Sequence, residues 1–491
     1  MSGAEPIPTI GMEVHLHLAT RTKMFCACAV EYDAPPNSCV CPVCLGMPGV
    51  LPVMNRKAVE LAIRMALALN GTIPDFAKWD RKHYYYPDLP KNYQISEYDQ
   101  PLGVGGYLDV PLDGETFRVG ITRVHLEEDA GKLMHPEDGA CSVVDLNRTG
   151  TPLLEVVSEP DIHSAAQARA YGEALRQLAI YLGVGHCNMQ LGQMRFEPNI
   201  SLQIGTDEKG RPRYTPISEI KNLNSFRSVE RACDFEIARH RQEYEDDPDG
   251  YTLERLGKST RGWLDDREET FLQRSKEEAH DYRYFPEPDL VPVVPDRKWV
   301  DAIRAGLPEL PEHRRRRFIN EYGLPEYDAG VLTADRHVAD FYEEYVRSAA
   351  NTDAKTAANW MMQDVMRILN ERKVAIAEIR IGPRDVAEVS DMVVAGTINR
   401  STGSDVFARM LASGKSAREI VAKEDLAQTS DEGELEAIAD QVIAENPGPA
   451  EDFRGGKERA LGRLIGQAMR ATGGKANPKV VREILVRKLR G

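Results

Sequence analysis

The chain has 491 residues, room for about three domains at roughly 150 residues each and for more than one buried core. Hydrophobic residues make up 42% and charged residues 28%, a globular mixture, and no apolar run approaches the roughly 18 residues needed to cross a bilayer, so no membrane partner is expected. The net charge of −15 argues against a nucleic-acid partner until its distribution is read: residues 424–452 carry ten acidic side chains and no basic one, whereas residues 453–491 carry eleven Lys or Arg against Glu458 and Glu483, a balance of +9. The N-terminal stretch has no basic start and no apolar core of a secretory signal, which predicts a cytoplasmic protein.

From the N-terminus, Ile10–Leu18 alternates apolar and polar residues, the period of a half-buried strand. Residues 57–69 show a helical apolar pattern, and Asp80–Pro90, dense in aromatics and prolines, predicts a structured loop. Helices are expected at 165–182, after His163-Ser164, and at 228–243. Four prolines between Pro286 and Pro295 predict an extended linker and a first boundary. Beyond Lys298 the pattern is helical at 312–322, 338–350, 354–371, 384–394 and 404–412, and Ile398–Ser404, with Gly403, predicts a second boundary. Short helices follow at 416–422, 431–444, 453–471 and 478–489. The expected organisation is an α+β domain at 1–294, a helical domain at 295–403 and a small helical domain at 404–491.

Five of the eight cysteines lie between Cys26 and Cys44. Cys26-x-Cys28 and Cys41-x-x-Cys44 are two close pairs separated by twelve residues, which suits tetrahedral thiolate coordination of a structural zinc ion. A set of reduced structural cysteines is the alternative, a cytosolic disulfide is disfavoured, and Cys39 could replace Cys41 as a ligand.

Acids recur on strand-like segments. Glu13 and His15 share one face of the first strand, opposite Met12, Val14 and Leu16. Glu127, Glu128 and Asp129 precede a glycine turn near Lys132; Arg195, Glu197 and Asn199 share a face, as do Glu219 and Lys221. Glutamates converging from several strands suit magnesium and nucleoside triphosphate, with Lys132, Arg195 and Lys221 to neutralise phosphate. Taken singly, each strand is better read as turning a polar face to water, and no GxxxxGK[ST] loop is present.

Several of these runs resemble the GatB family of tRNA-dependent amidotransferase subunits: Gly11–His15, Val40–Gly46, Asp80–Lys91, His125–Lys132, Asp145–Glu155, Glu219–Phe226, Arg274–Asp289 and, near the end, Gly455–Gly462 through Gly474–Pro478. The resemblance covers nearly the whole chain. It implies an α+β, glutamine-synthetase-like cradle with a mixed sheet, then an all-α helical domain and a small YqeY-like tail that contacts tRNA. It implies a carbon–nitrogen ligase acting with an amidase subunit, GatA, and a small subunit, GatC. In that reaction ATP and Mg²⁺ activate the side-chain carboxylate of Glu-tRNA(Gln) or Asp-tRNA(Asn), and ammonia released from glutamine by the amidase replaces the phosphate. The family's zinc cysteines map onto Cys26, Cys28, Cys41 and Cys44, and its metal-binding groups onto Glu13, His15, Glu127, Glu128 and Glu219. Lys132, Arg195 and Lys221 are the expected nucleotide-binding residues, and Arg454, Lys457, Arg459, Arg463, Arg470 and Lys475 the expected tRNA-binding ones. Phe196-Glu197 stands where the family pattern leads one to expect a cysteine–aspartate pair, Cys39 is an addition, and residues 244–270 depart from the pattern. Two other readings remain: a GatE-type paralogue, whose large inserted domain 491 residues leave no room for, and a non-catalytic zinc-containing tRNA-binding subunit.

Overall fold

A computed structural model describes residues 5–490 except 137–138, 140, 275–281, 428–431 and 473–475. Lys475, and residues 275–281 of the family-like run Arg274–Asp289, therefore lie outside the described residues. The chain forms two compact units, Met1–Leu310 and Pro311–Gly491.

The first unit is built on one mixed sheet. Its main path uses ten strands, numbered here in chain order: β1 (Ile7–His17), β2 (Asp80–His83), β3 (Tyr93–Ser96), β4 (Glu115–Glu128), β5 (Pro152–Ser158), β6 (Met194–Thr206), β7 (Ile217–Lys221), β8 (Lys258–Leu264), β9 (Glu269–Arg274) and β10 (Phe285–Pro286). Their order across the sheet is β9-β8-β7-β6-β1-β5-β4-β3-β2-β10, antiparallel throughout except for β7 beside β8. The alternation expected in the first strand holds: Ile10, Met12, Val14 and Leu16 are at most 1% exposed, and Glu13 and His15 face the other way. Helices α1 (Arg56–Ala68), α2 (Ala165–Tyr181) and α3 (Phe226–Asp246) close the apolar face into a single core. Each begins at a polar cap: Asn55 accepts from the Lys57 and Ala58 amides, Ser164 from Gln167 and Ser225 from Ser228.

The proline-rich run is not a linker. Phe285–Pro286 is an edge strand on β2, Val293 pairs with Ala77, and the buried Glu287 receives a two-pronged hydrogen bond from Arg81 at 2.6 and 2.8 Å. Proline lacks an N–H, which suits an edge strand as well as it suits a linker. Helix α4 (Arg297–Ala305) adds Val300 and Ile303 to the same core, so the first unit runs to Leu310 and not to 294.

The second unit is helical and holds two separate cores. One runs from Phe318 to Val421, across the boundary expected at 398–404. There Asn399 caps the helix Arg400–Ser413, and Gly403 lies inside it. A Cβ on Gly403 would stand 2.6 Å from Val393 Cγ2, so this glycine permits close helix packing and makes no turn. The other core spans Leu435–Leu489 and joins α5 (Glu432–Glu445), α6 (Pro447–Arg454), α7 (Arg459–Ala471) and α8 (Pro478–Arg490). The single helix expected at 453–471 is broken at Gly455-Gly456, where Gly456 has φ +93°. Among the described residues no helix is long and apolar enough to cross a membrane.

Candidate functional site

The polar face of the sheet lines a cavity of about 450 Å³. Strand register builds its floor. Glu13 stands opposite Glu197, and His15 stands between Arg195 on β6 and Glu155 on β5. On β4, His125 is opposite Glu155, and on β7, Glu219 is opposite Asn199. Side chains from separate strands thus form two groups whose ligand atoms lie within 4.8 Å of one another: Glu13, Glu197 and Glu219, and His15, Glu127 and Glu155.

In the first group Asn199 donates to Glu13 (2.9 Å), Lys221 to Glu197 (2.6 Å), and Lys258 and Thr260 to Glu219 (3.1 and 2.9 Å). Burial is the largest influence on Glu197 and Glu219 and opposes their ionisation, but Lys221 and His15 together at Glu197, and Lys221 and Lys258 together at Glu219, hold them below the usual carboxylate range. Glu13 has no such cation bound to it, and burial followed by repulsion from Glu155 raises it. In the second group His15 Nε2 lies 3.3 Å from Glu155 and 3.7 Å from Glu127, and His125 Nε2 lies 3.1 Å from Glu155. Burial pulls His15 down, but Glu155 dominates among the acids around it and lifts it to about 9. Burial pushes Glu155 up, and the imidazoles of His125 and His15 overcome this and hold it well below a normal carboxyl. Glu127 stays raised by burial and by Glu155. Carboxylates this close leave charge repulsion that a hard divalent cation would relieve, and their oxygens are the ligand type such a cation takes.

Phe196-Glu197 fits this arrangement. Phe196 is 1% exposed in the core, and the longer Glu197 carboxylate reaches Glu13 and Glu219. Two expected residues lie elsewhere. Glu128 points to the opposite face from Glu127, as alternation on β4 demands. It pairs there with Lys91 and accepts from the Ile95 amide at 3.0 Å. Lys132 lies on a short separate strand, Lys132–Met134, is exposed, and does not line the cavity.

Many cavity residues are not among the expected site residues, Asp129 and Glu155 included. Asp129, 5% exposed, binds Arg195 at 3.0 Å and lies 2.7 Å from His17 Nε2, which fixes the Arg195 guanidinium over the floor. Its signal is the same alternation that separates 127 and 129 from 128. Glu155 is the one acid in Pro152–Ser158, a strand buried at six of its seven positions. A lone acid in a buried apolar strand is itself a site signal.

The four paired cysteines, Cys26, Cys28, Cys41 and Cys44, also converge, with their sulfurs within 4.8 Å of one another. Gly46, at φ +65°, closes the turn after the second pair. The Cys26 thiol, the Cys41 amide (3.1 Å) and the buried Lys23 ammonium (3.6 Å) bring Cys44 down to about 4 against the effect of burial. Cys26 is raised in return, and burial takes Cys28 to about 11. Cys39 stands outside this group, its amide donating to Asn147 Oδ1 at 2.8 Å. Four cysteine sulfurs around one point fit a tetrahedral zinc ion and leave no open coordination position.

Residues 8–301, which hold both sites, match the family described as the GatB/GatE catalytic domain, and residues 340–489 match the GatB domain of the Yqey type. The chain belongs to the GatB family. A relative from Carboxydothermus hydrogenoformans, named as a subunit of aspartyl/glutamyl-tRNA(Asn/Gln) amidotransferase, is 49% identical over 98% of both chains. Proteins of the same name from Moorella thermoacetica and Geobacter sulfurreducens are each 48% identical over 98% of this chain and 99% of their own.

In the region matched to the GatB domain, the C-terminal charge divides into two populations. On α8, Arg487 pairs with Glu436, Lys488 with Asp440 at 2.8 Å and Arg490 with Glu458, so the acidic helix α5 answers part of the positive charge. Lys457 pairs with Asp452 at 2.8 Å. Arg454, Arg459, Arg463 and Arg470 are exposed and make no ion pair among the described residues. On α7 the offsets of four and eleven residues bring Arg459, Arg463 and Arg470 within about 40° of one another around the helix axis.

Proposed function

We propose that this chain is the ATP-using subunit of a glutamine-dependent carbon–nitrogen ligase that amidates the side-chain carboxylate of Glu-tRNA(Gln), Asp-tRNA(Asn) or both. The observation that carries the reading is the convergence of two carboxylate-rich groups in one cavity on a GatB-family sheet, with lysine and arginine side chains among them. We place the protein in the cytoplasm, in complex with an amidase subunit, GatA, and a small subunit, GatC.

A side-chain carboxylate is a poor electrophile. Its oxygen attacks the γ-phosphorus of ATP, ADP leaves, and an acyl phosphate forms. Ammonia then attacks the acyl carbon, phosphate leaves with the C–O electron pair, and the nitrogen gives up a proton. The residues that would hold magnesium are Glu13, Glu197 and Glu219 on one side, and His15, Glu127 and Glu155 on the other. Magnesium bound there supplies charge neutralisation to the phosphate oxygens. Arg195, held by Asp129, and Lys221 and Lys258, held by Glu197 and Glu219, are cations of fixed position for the same negative charge. Cys26, Cys28, Cys41 and Cys44 would hold a structural zinc ion, and the exposed arginines of α6 and α7 would take the tRNA phosphates. The domains follow the cores: a cradle to Leu310, a helical domain to Val421 and a tRNA-binding tail from Glu432.

The test is amidation of both mischarged tRNAs by the complex reconstituted with its amidase partners. ATP-dependent amide formation on at least one tRNA is expected, with loss of amide but not of glutamine hydrolysis in Glu13→Gln. Amide formation without ATP, or on neither tRNA, overturns the reading.

A further inference from the structure

One end of the cavity has no part in the chemistry above. The acids of the two converging groups come from β1 and β4–β7, in the middle of the sheet, and Lys258 and Arg274 lie on β8 and β9 toward one edge. Toward the other edge, around β2, β3 and β10, four tyrosines, Tyr84, Tyr98, Tyr282 and Tyr284, line the cavity beside Gln94, Ser96 and the buried Glu97. Tyr98 and Tyr284 are stacked, with ring centroids 3.9 Å apart and planes 8° from parallel. Tyr282 meets Tyr284 edge-on at 6.1 Å and Tyr84 edge-on at 6.2 Å. Lys82, also lining the cavity, sits 4.9 Å from the Tyr282 ring. Although one ring face is covered, Tyr98 is still 47% exposed. Burial raises Tyr84 and Tyr284, so both phenols stay neutral at physiological pH.

A wall of neutral aromatic rings beside one cation, at the far end from a cationic edge, suits a flat heteroaromatic group better than a phosphate. Both substrates of the proposed reaction carry such a group, and in both it is adenine: ATP, and the unpaired 3′-terminal nucleotide of the aminoacyl-tRNA. We propose that the tyrosine wall is an adenine subsite, in which the purine extends the Tyr98–Tyr284 stack. The polarity of the cavity assigns it to the terminal adenosine of the tRNA. A triphosphate needs the cations and carboxylate-bound metal of the middle and opposite edge, whereas the aminoacyl end carries a neutral ester that must lead from the wall to the acids. The inference rests on the function proposed above and deepens it by naming how one substrate is held.

The experiment uses the full chain with two fluorescent probes: an RNA minihelix with 2-aminopurine as its terminal base, and 2-aminopurine riboside triphosphate. Stacking quenches 2-aminopurine. Quenching of the minihelix probe is expected, with loss in Tyr98→Leu and Tyr284→Leu and retention in Tyr98→Phe, which keeps the ring. In the reconstituted complex, Tyr98→Leu should raise KM for aminoacyl-tRNA about ten-fold, with KM for ATP unchanged. Quenching of the triphosphate alone, with the ATP KM rising instead, supports the adenine subsite and moves it to ATP. No quenching of either probe, or quenching that survives both leucine variants, overturns the proposal. Failure of the wild-type complex to amidate would sink the functional reading, and the binding result with the minihelix would stand apart from it.

Discussion

In the sheet cavity Glu127, Glu155 and Glu219 are each less than a tenth exposed, and every one of them faces a lysine, a histidine or another carboxylate. On helix α7 Arg459, Arg463 and Arg470 stand in solvent with no acidic partner among the described residues. Buried charges at short range act on one another strongly and with little screening, as the opposite displacements of Glu155 and His15 show. Exposed charges are screened within about 10 Å at ordinary salt and act on a distant polyanion nearly independently. Substitutions in the first region should therefore be severe and specific, and those in the second small, additive and dependent on salt.

The largest effect is expected at Glu219. Glu219→Gln keeps the shape but removes a charge held by Lys258 and Thr260, and ATP-dependent amide formation should fall by a factor on the order of 10²–10³. A rate within a few-fold of wild type, measured on either mischarged tRNA, removes Glu219 from the reacting centre and breaks the contrast at its strong end.

The cysteine group tests whether burial of charge always serves chemistry. Metal analysis should find about one zinc per chain. Cys41→Ser should lose the ion and, on the order of several kcal/mol, local stability, whereas Cys39→Ser should keep both, because Cys39 lies outside the group. Zinc loss in the Cys39 variant and retention in the Cys41 variant would reverse the ligand assignment.

Glu97 sharpens the contrast within the cavity itself. It is 1% exposed, its Oε2 accepts from the Leu102 and Leu126 amides at 3.0 and 3.1 Å, and its Oε1 has no partner among the described residues. Burial raises the carboxyl from 4.5 to about 7. A carboxyl whose folded pKa is raised contributes stability that is full below the unfolded value and is lost as pH rises through the folded one. The loss should therefore fall between about pH 4.5 and pH 7, and Glu97→Gln should abolish it, leaving the variant about 3 kcal/mol more stable than wild type at pH 8. Parallel stability curves for the two proteins from pH 5 to 8 would show that Glu97 stays ionised in the fold.

The smallest effects belong to the tail. Arg463→Ala should weaken tRNA binding slightly and reduce the slope of log affinity against log salt by about one. Removing residues from Glu432 onward should flatten the salt dependence further and spare the cradle. A cut at residue 404, where the sequence predicts the start of the tail domain, would be a poor test, because Met410, Leu411, Ile420 and Val421 belong to the preceding core. An unchanged salt slope in the truncated chain would mean that α7 is only a solvated surface.

Local pattern carried much of this in the sequence alone. Period-two alternation put Glu13 and His15 on the face opposite Met12 and Val14, the polar pair His163-Ser164 marked where α2 begins, and cysteine spacing picked out the four converging thiols while leaving Cys39 open as a substitute for Cys41. These features depend on neighbours a few residues away, whose geometry the backbone itself dictates. Pairing decided the rest. Glu155 meets His15 only because β5 lies beside β1 in one register, and a shift of one residue would turn it into the core. Glu128 looks like its neighbours Glu127 and Asp129 in the sequence, yet it ends on the other face with Lys91. The prolines before Pro295 and the glycine at 403 carry the composition of boundaries, but packing used them for an edge strand and a close helix contact. Composition records what backbone a segment tolerates; which partner then occupies the space beside it is settled by residues on other elements, from ten positions away for Gly403 to about two hundred for Phe285.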